Sequence, residues 1–346
     1  MRKLIVPSLA ALGAAILPAP AMAGTVLTGL DAMREWNLIV LGDLTSNSEV
    51  EGRTFVAGNL QGNSSNYSIR QSGRSAIGTA GLTVVGDVSG GTKNLNGGAG
   101  ADIGGTVFSG FNLNGSPQTV NAGGAVFRTN VNQNTVNANL GSGFTGGLAA
   151  QSAALTQSLG DLSSSLAGMS ATNAATFAFN RGTFNVVPDA AGQAVFSINA
   201  SDLASIRDIQ FNLNGAKTVI VNVSGTNVTF DDNFLGGGSG LGQNVLWNLT
   251  DATNLTVGNA FQGSVLAPNA VAQLANYISG SVVVKSMNQK GEVHLRTLSG
   301  EFGPAYANGA VPEPATWAML VLGFGIVGGG MRAARRGPRI KARLAA

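Results

Sequence analysis

Apolar residues in this chain come in runs of three or four, each cut off by glycine or asparagine, and that pattern limits what it can fold into. Leu38-Ile39-Val40-Leu41, Thr54-Phe55-Val56-Ala57, Leu82-Thr83-Val84-Val85, Thr106-Val107-Phe108, Ala125-Val126-Phe127, Val219-Ile220-Val221 and Val282-Val283-Val284 all have this form. Short runs of β-branched and aromatic residues, bounded by turn formers, predict strands. One device recurs between them: Gly42-Asp43-Leu44, Gly58-Asn59-Leu60 and Gly86-Asp87-Val88. Asn-Leu-Asn-Gly occurs three times, beginning at Asn94, Asn112 and Asn212. Gly and Asn tolerate left-handed backbone, so they suit the corners of successive coils. Their irregular spacing predicts a mainly β body with coils of unequal length, not a clean short-repeat solenoid. The 346 residues, 44% of them hydrophobic, are enough to bury a substantial core.

One segment departs from this pattern. Leu148, Leu155, Leu159, Leu162, Leu166 and Met169 fall at helical intervals, with Ala, Gln and Ser between them. The spacing predicts one long amphipathic helix over about 147–170, its narrow leucine stripe packed along the β body. Asp161 is the one charge on its outer face, which does not suit a membrane-surface helix.

The two ends read as addresses. Arg2 and Lys3, the apolar stretch Leu4 to Leu17, Pro18, Pro20 and Ala21-Met22-Ala23 predict a secretory signal peptide over 1–23, cut between Ala23 and Gly24. At the far end the uncharged run Ala315 to Met331 predicts a transmembrane helix over 315–331. Arg332, Arg335, Arg336, Arg339, Lys341 and Arg343 follow it, so 332–346 is expected to be a basic cytoplasmic tail. Gly323, Gly325 and Gly328 spell G-x-G-x-x-G inside the apolar run. No acid follows Glu313, so they read as small residues of a membrane helix, together with Gly325-x-x-x-Gly329.

Pro312-Glu313-Pro314, then Trp317, the Gly323-Phe324-Gly325 run and the arginine cluster, resembles a PEP-CTERM sorting signal over 311–336. The resemblance implies recognition at the inner membrane and removal of the tail by an exosortase-type enzyme, in proteins that often accompany exopolysaccharide production. Two prolines would keep the recognition segment extended.

Two blocks in the body carry a second resemblance. Asn37 to Leu44, then Ser48-Glu49-Val50-Glu51-Gly52-Arg53 and Val56-Ala57-Gly58-Asn59, resembles the opening of the choice-of-anchor A domain. Gln262 to Ala270, Gly280 to Lys285 and Gly291-Glu292-Val293-His294 resemble its ending. That domain is similar to ice-binding-like adhesive domains. It implies a right-handed parallel β-helix with a helix alongside, here spanning 24–304 and joined by a linker, 305–310, to the sorting segment.

Little in the chain suggests chemistry. It has no Cys, which excludes thiolate sites, and its one histidine, His294, leaves little material for a His-based metal cluster or triad and reads as a structural residue. Asp231-Asp232-Asn233 is the densest oxygen cluster but lacks calcium-loop spacing, and reads as a solvated turn. Glu49 and Glu51 lie on one face if extended, and could serve glycoside hydrolysis only opposite further groups across a cleft. Thr83, Thr106, Thr229 and Thr256 do not repeat as the Thr-x-Thr ranks that an ice face needs.

The reading is therefore an exported, non-enzymatic surface or matrix protein, with no cofactor and no metal, that adheres or associates with exopolysaccharide or another surface glycan. Its expected path runs through an inner-membrane intermediate to the cell surface, outer envelope or matrix. The alternatives are a polysaccharide-cleaving enzyme, with Glu49, Glu51, Arg53 and His294 converging in a cleft, and an ice-binding protein. Net charge does not point to nucleic acid. Of 20 Lys and Arg, two lie in the signal segment and six in the tail. The 12 between face all 17 Asp and Glu, which leaves −5.

Overall fold

The structure is a computed structural model that describes residues 27–70, 80–238 and 240–302. The expected signal peptide, linker, sorting segment, membrane helix and tail lie outside the described residues. Among the described residues no helix is long and apolar enough to cross a membrane.

Most of the short apolar runs lie in strands that stack in parallel on their counterparts in the next coil, those of the first half about three residues long. Leu38–Val40 pairs with Thr54–Val56, that with Leu82–Val84, and that with Ala101–Ile103. The result is a mainly β, solenoid-like stack with three faces. Among the described residues all strand pairings are parallel except the hairpin Thr176–Ala178 with Arg181–Asn185.

The coils are not stacked in chain order. From Leu38 the chain winds outward to the strand Thr135–Asn137 at one end. Helix α2, Gly141–Ala167, then carries it to the other end, where winding resumes at Gln193–Asn199 and returns through Val282–Gln289. The last coil closes on the first, with Leu38, Ile39 and Val40 in register with Val282, Val283 and Val284. At ~1.5 Å per residue α2 spans roughly 40 Å, close to the roughly 48 Å of a row of strands ~4.8 Å apart. One helix is thus long enough to return the chain.

Strand alternation divides the apolar residues between two cores. On the first face Leu38 and Val40 point into the stack, while Ile39, Phe55, Leu266 and Val283 point outward and are also fully buried. Helix α1, Gly29–Glu35, and the leucine stripe of α2 cover them. A parallel sheet covered on both sides reads as a continuous apolar run, which is what Leu38-Ile39-Val40 is. Leu155, Leu159, Leu162 and Leu166 each contribute about 1.5–3 kcal/mol of gross burial. Polar ties fix the helix: Asn248 donates to the Ser163 carbonyl at 2.9 Å and Asn222 to that of Leu166 at 2.8 Å. The buried Arg53–Glu35 ion pair ties α1 to the first coils.

Coil length sets what fills the interior. Rungs in the first half are as close as 16 residues and enclose Val and Leu. The widest coils of the second half put partners 26 or 27 residues apart, Asn222 with Asn248 and Asn227 with Asn254, before the spacing falls to 18 at Leu246–Ser264 and 17 at Val265–Val282. Their wider interior holds Trp247 with Phe184, Phe211, Phe230 and Phe261 around it at ring-centroid distances of 5.3–5.8 Å.

Three features differ from expectation. The long helix is Gly141–Ala167, not 147–170. Its glycine-rich first turns have poor helix propensity and are recruited by docking on the end coil, where Leu140 N–H bonds the Ala122 carbonyl at 3.1 Å. Alongside it are α1 and two other short helices, α3 (Ala200–Ala204) and α4 (Leu241–Asn244), too short to leave a periodic signal. Thr106–Phe108 and Ala125–Phe127 are not strands but single bridges at Val107 and Val126, each following a Gly-Gly bend that leaves one residue in register.

Candidate functional site

Among the described residues no helix runs along the second face, and the Gly-Asp/Asn corners set its register. Asp43 Oδ1 accepts Asn59 N–H at 2.7 Å, Asn59 Oδ1 accepts Asp87 N–H at 2.9 Å, and Asp87 Oδ1 accepts Thr106 N–H at 2.7 Å. The glycine before each corner residue lets consecutive coils touch. A Cβ on Gly58 would lie 2.6 Å from the Gly42 carbonyl carbon.

Held in this register, outward side chains align in a continuous rank. Thr229, Thr256, Gln273 and Asn288 are successive partners in the second half. Asn288 then meets Thr45 across the seam between the halves, and Thr45 meets Gln61. Ser89, Phe108 and Phe127 extend it through the bridges Leu60–Val88, Val88–Val107 and Val107–Val126. No member is charged. At ~4.8 Å per strand the rank is roughly 40 Å long.

The third face carries a cluster of acids with the one histidine. Register places Glu292 beside Glu49 and His294 beside Glu51. His294 Nε2 lies 2.7 Å from Glu292 Oε2, and its ring stacks on Tyr277 at 4.6 Å. Glu51 bonds Arg70 at 3.2 Å and accepts Leu295 N–H at 2.8 Å. Burial, then the charges of Glu292 and Glu51, push the Glu49 carboxyl above its ordinary range. Beside Tyr277 lies an open depression of about 190 Å³ lined by Asn233, Phe234, Ala260 and Gln262, below the roughly 300 Å³ at which ligand pockets begin.

A family model for the ice-binding-like adhesive domain matches residues 29–295, the whole of this three-faced stack. The chain belongs to that family. A second model, the PEP-CTERM protein-sorting motif, matches residues 310–336. It takes in Pro312, Glu313, Pro314, Trp317, Arg332, Arg335 and Arg336. No curated protein matches. Among solved structures, an ice-binding protein from the Antarctic ascomycete Antarctomyces psychrotrophicus aligns at 13% identity and a TM-score of 0.27. The alignment covers 77% of this chain and 97% of that one. An adhesive-like domain joined to a sorting motif points to an exported surface protein.

Within the adhesive domain the structure brings Glu49, Glu51 and His294 to one open patch and adds Glu292, Tyr277 and Arg70. Arg53 is elsewhere, buried under α1 with Glu35. Among the described residues no three acidic or histidine side chains converge to hold a metal. Asp231 is exposed, whereas Asp232 is buried at 5% exposure, not a solvated turn residue. Burial, then Asp231, pushes the Asp232 carboxyl up to about 6. Thr229 and Thr256 do pair on the second face, but Gln273 follows them, Thr106 sits on a corner and Thr83 is buried on the first face. Sequence reasoning missed the rank itself. Its members come from both halves, and no local spacing in the chain joins Asn288 to Thr45.

Proposed function

We propose that the protein is an exported, non-enzymatic surface protein whose second face lies against a matrix glycan. The observation that carries this reading is the uncharged rank, which offers neutral donors and acceptors on the uncovered face. The first face is closed by α1 and α2 and the third carries acids, so the second is the broad face suited to an uncharged polymer. The coils would form a right-handed β-helix, the hand that parallel crossovers favour. Sorting would pass through an inner-membrane intermediate held by 315–331, with cleavage by an exosortase-type enzyme.

Binding of the full-length protein to a panel of neutral and anionic polysaccharides tests the glycan half. Retention of none of them would sink it. Deletion of 311–346 followed by cell fractionation tests the sorting half, which fails if the truncated chain still stays with the envelope.

One observation favours a second reading, polysaccharide cleavage: the raised Glu49 carboxyl beside Glu292, Glu51 and His294. The patch is open, without opposing walls to hold a sugar in line with a paired acid and base. New reducing or unsaturated ends on incubation with the host's exopolysaccharide, lost in Glu49→Gln, would install cleavage in place of binding alone.

A further inference from the structure

The rank changes chemistry at its last two positions. Phe108 and Phe127 are 53% and 65% exposed, and their rings stack at 5.7 Å with 16° between the planes. Neither is needed to fill the core, since Val107 and Val126 of the same segments point inward. Leaving such rings in water forgoes the stabilisation that burial would give, and an exposed apolar patch of this kind marks a contact surface.

What surrounds the rings narrows the occupant. On the adjoining corner row Asp43 and Asp87 each use Oδ1 to hold the next coil. The structure gives their Oδ2 atoms no partner among the described residues, so two fixed acceptors face outward. Along the rank itself Gln61 donates to Thr45 Oγ1 at 3.2 Å, which orients its amide. Aromatic rings with the Asp87 carboxylate on the next coil, and the Gln61 amide and Asp43 carboxylate two and three rungs along, match a pyranose chain, whose C–H faces pack on rings while its equatorial hydroxyls donate to carboxylates. The two Asp carboxylates disfavour a polyuronate. Strands ~4.8 Å apart also present one rung for about every sugar of an extended chain laid along the stack.

We propose that Phe108 and Phe127, with Asp87 and Gln61, form the anchoring subsite for a neutral β-linked polysaccharide lying along the second face. This rests on the glycan-binding reading and names both its subsite and its ligand class. Phe108 and Phe127 supply the stacking surface, Asp87 accepts from a hydroxyl, and Gln61 continues the contact toward the seam.

The test is affinity of the full-length protein for hydroxyethylcellulose, with alginate as the anionic counterpart. Wild type is expected to bind the first and not the second. Phe108→Ala with Phe127→Ala should weaken binding tenfold or more. Phe179→Ala, which removes a fully exposed ring outside the rank, should leave it unchanged. If the double alanine variant does not fold, Phe108→Leu with Phe127→Leu keeps the apolar bulk and should show the same loss. Undiminished binding by a folded double variant overturns the subsite and leaves the glycan reading standing. A preference for alginate overturns the ligand class, and retention of neither polymer overturns the subsite and removes the support for the reading.

Discussion

Asn37 donates from Nδ2 to the Gly280 carbonyl at 2.8 Å across 243 residues of chain. The same buried side chain donates to the His294 carbonyl at 3.1 Å and accepts Gly52 N–H at 3.0 Å. One amide therefore fastens the first coil to the last and to its own successor. Asn37→Ala would leave a buried N–H and two carbonyls without this partner, at about 1–3 kcal/mol each before relaxation. Chemical denaturation should show a loss of about 3–5 kcal/mol. Asn37→Asp, which cannot donate and buries a charge, should be no better. A loss below 1 kcal/mol would mean that the seam does not depend on this clamp.

Glycines separate into two kinds that should respond oppositely to alanine. A Cβ at Gly58 would meet the Gly42 backbone and Asp43, while a Cβ at Gly160 in α2 would meet nothing within 4 Å. Gly58→Ala should thus cost about 3 kcal/mol or more. Gly160→Ala should gain about 0.5–1 kcal/mol from helix propensity. Thermal melts of the two variants check both signs.

The corners were legible because their cause is local. Gly42-Asp43, Gly58-Asn59 and Gly86-Asp87 had to be glycine followed by a short side chain with an oxygen, and each stacks on the next. Asn94-Leu95 and Asn112-Leu113, expected at corners, lie instead in paired strands of the third face, where Asn112 bonds Asn94 at 2.9 Å and Asn114 bonds Asn96 at 3.2 Å. The leucine stripe of α2 was legible as helix, with Leu155, Leu159, Leu162 and Leu166 buried as expected. Strand order was not, because Leu38 finds Val282 through tertiary closure that no window of sequence contains. Nor was the fate of Phe108, since outward or inward placement depends on where the preceding corner ends. Glu49 and His294 were singled out separately, yet only the seam makes them neighbours.

Asp232 should make the protein more stable in mild acid than its neighbours would suggest. Its folded carboxyl titrates near 6 against an ordinary 3.8, raised by burial and then by Asp231. At pH 7 both folded and unfolded chains are ionised there and the folded state bears the full penalty. As pH falls through about 6 the folded state takes up its proton first, and the penalty is gone near 4. Asp232→Asn should therefore stabilise by about 1–2 kcal/mol at pH 7 after solvent screening, and by nearly nothing at pH 4. Equal effects at both pH values would show that the carboxyl is not strained by its site.

Lys93 presents the opposite case. It points into the stack at 0% exposure, and its Nζ reaches the carbonyls of Asn63 at 2.7 Å and Gly62 at 3.4 Å, with no ion-pair partner among the described residues. Burial lowers the ammonium to about 8 from 10.5. Between these values the unfolded chain holds the proton that the folded chain has released, so stability from this group rises with pH; below about 8 both are protonated and the penalty is complete. Tyr67, buried and pushed up to about 12, works in the other direction above its ordinary 10. The comparison is therefore cleanest between pH 7 and pH 9.5, and as a difference from Lys93→Met, which keeps Tyr67. Over that interval wild type should gain about 1–2 kcal/mol on the variant in denaturant titrations. A constant difference would mean that water reaches Nζ and that the interior is not as dry as its packing implies.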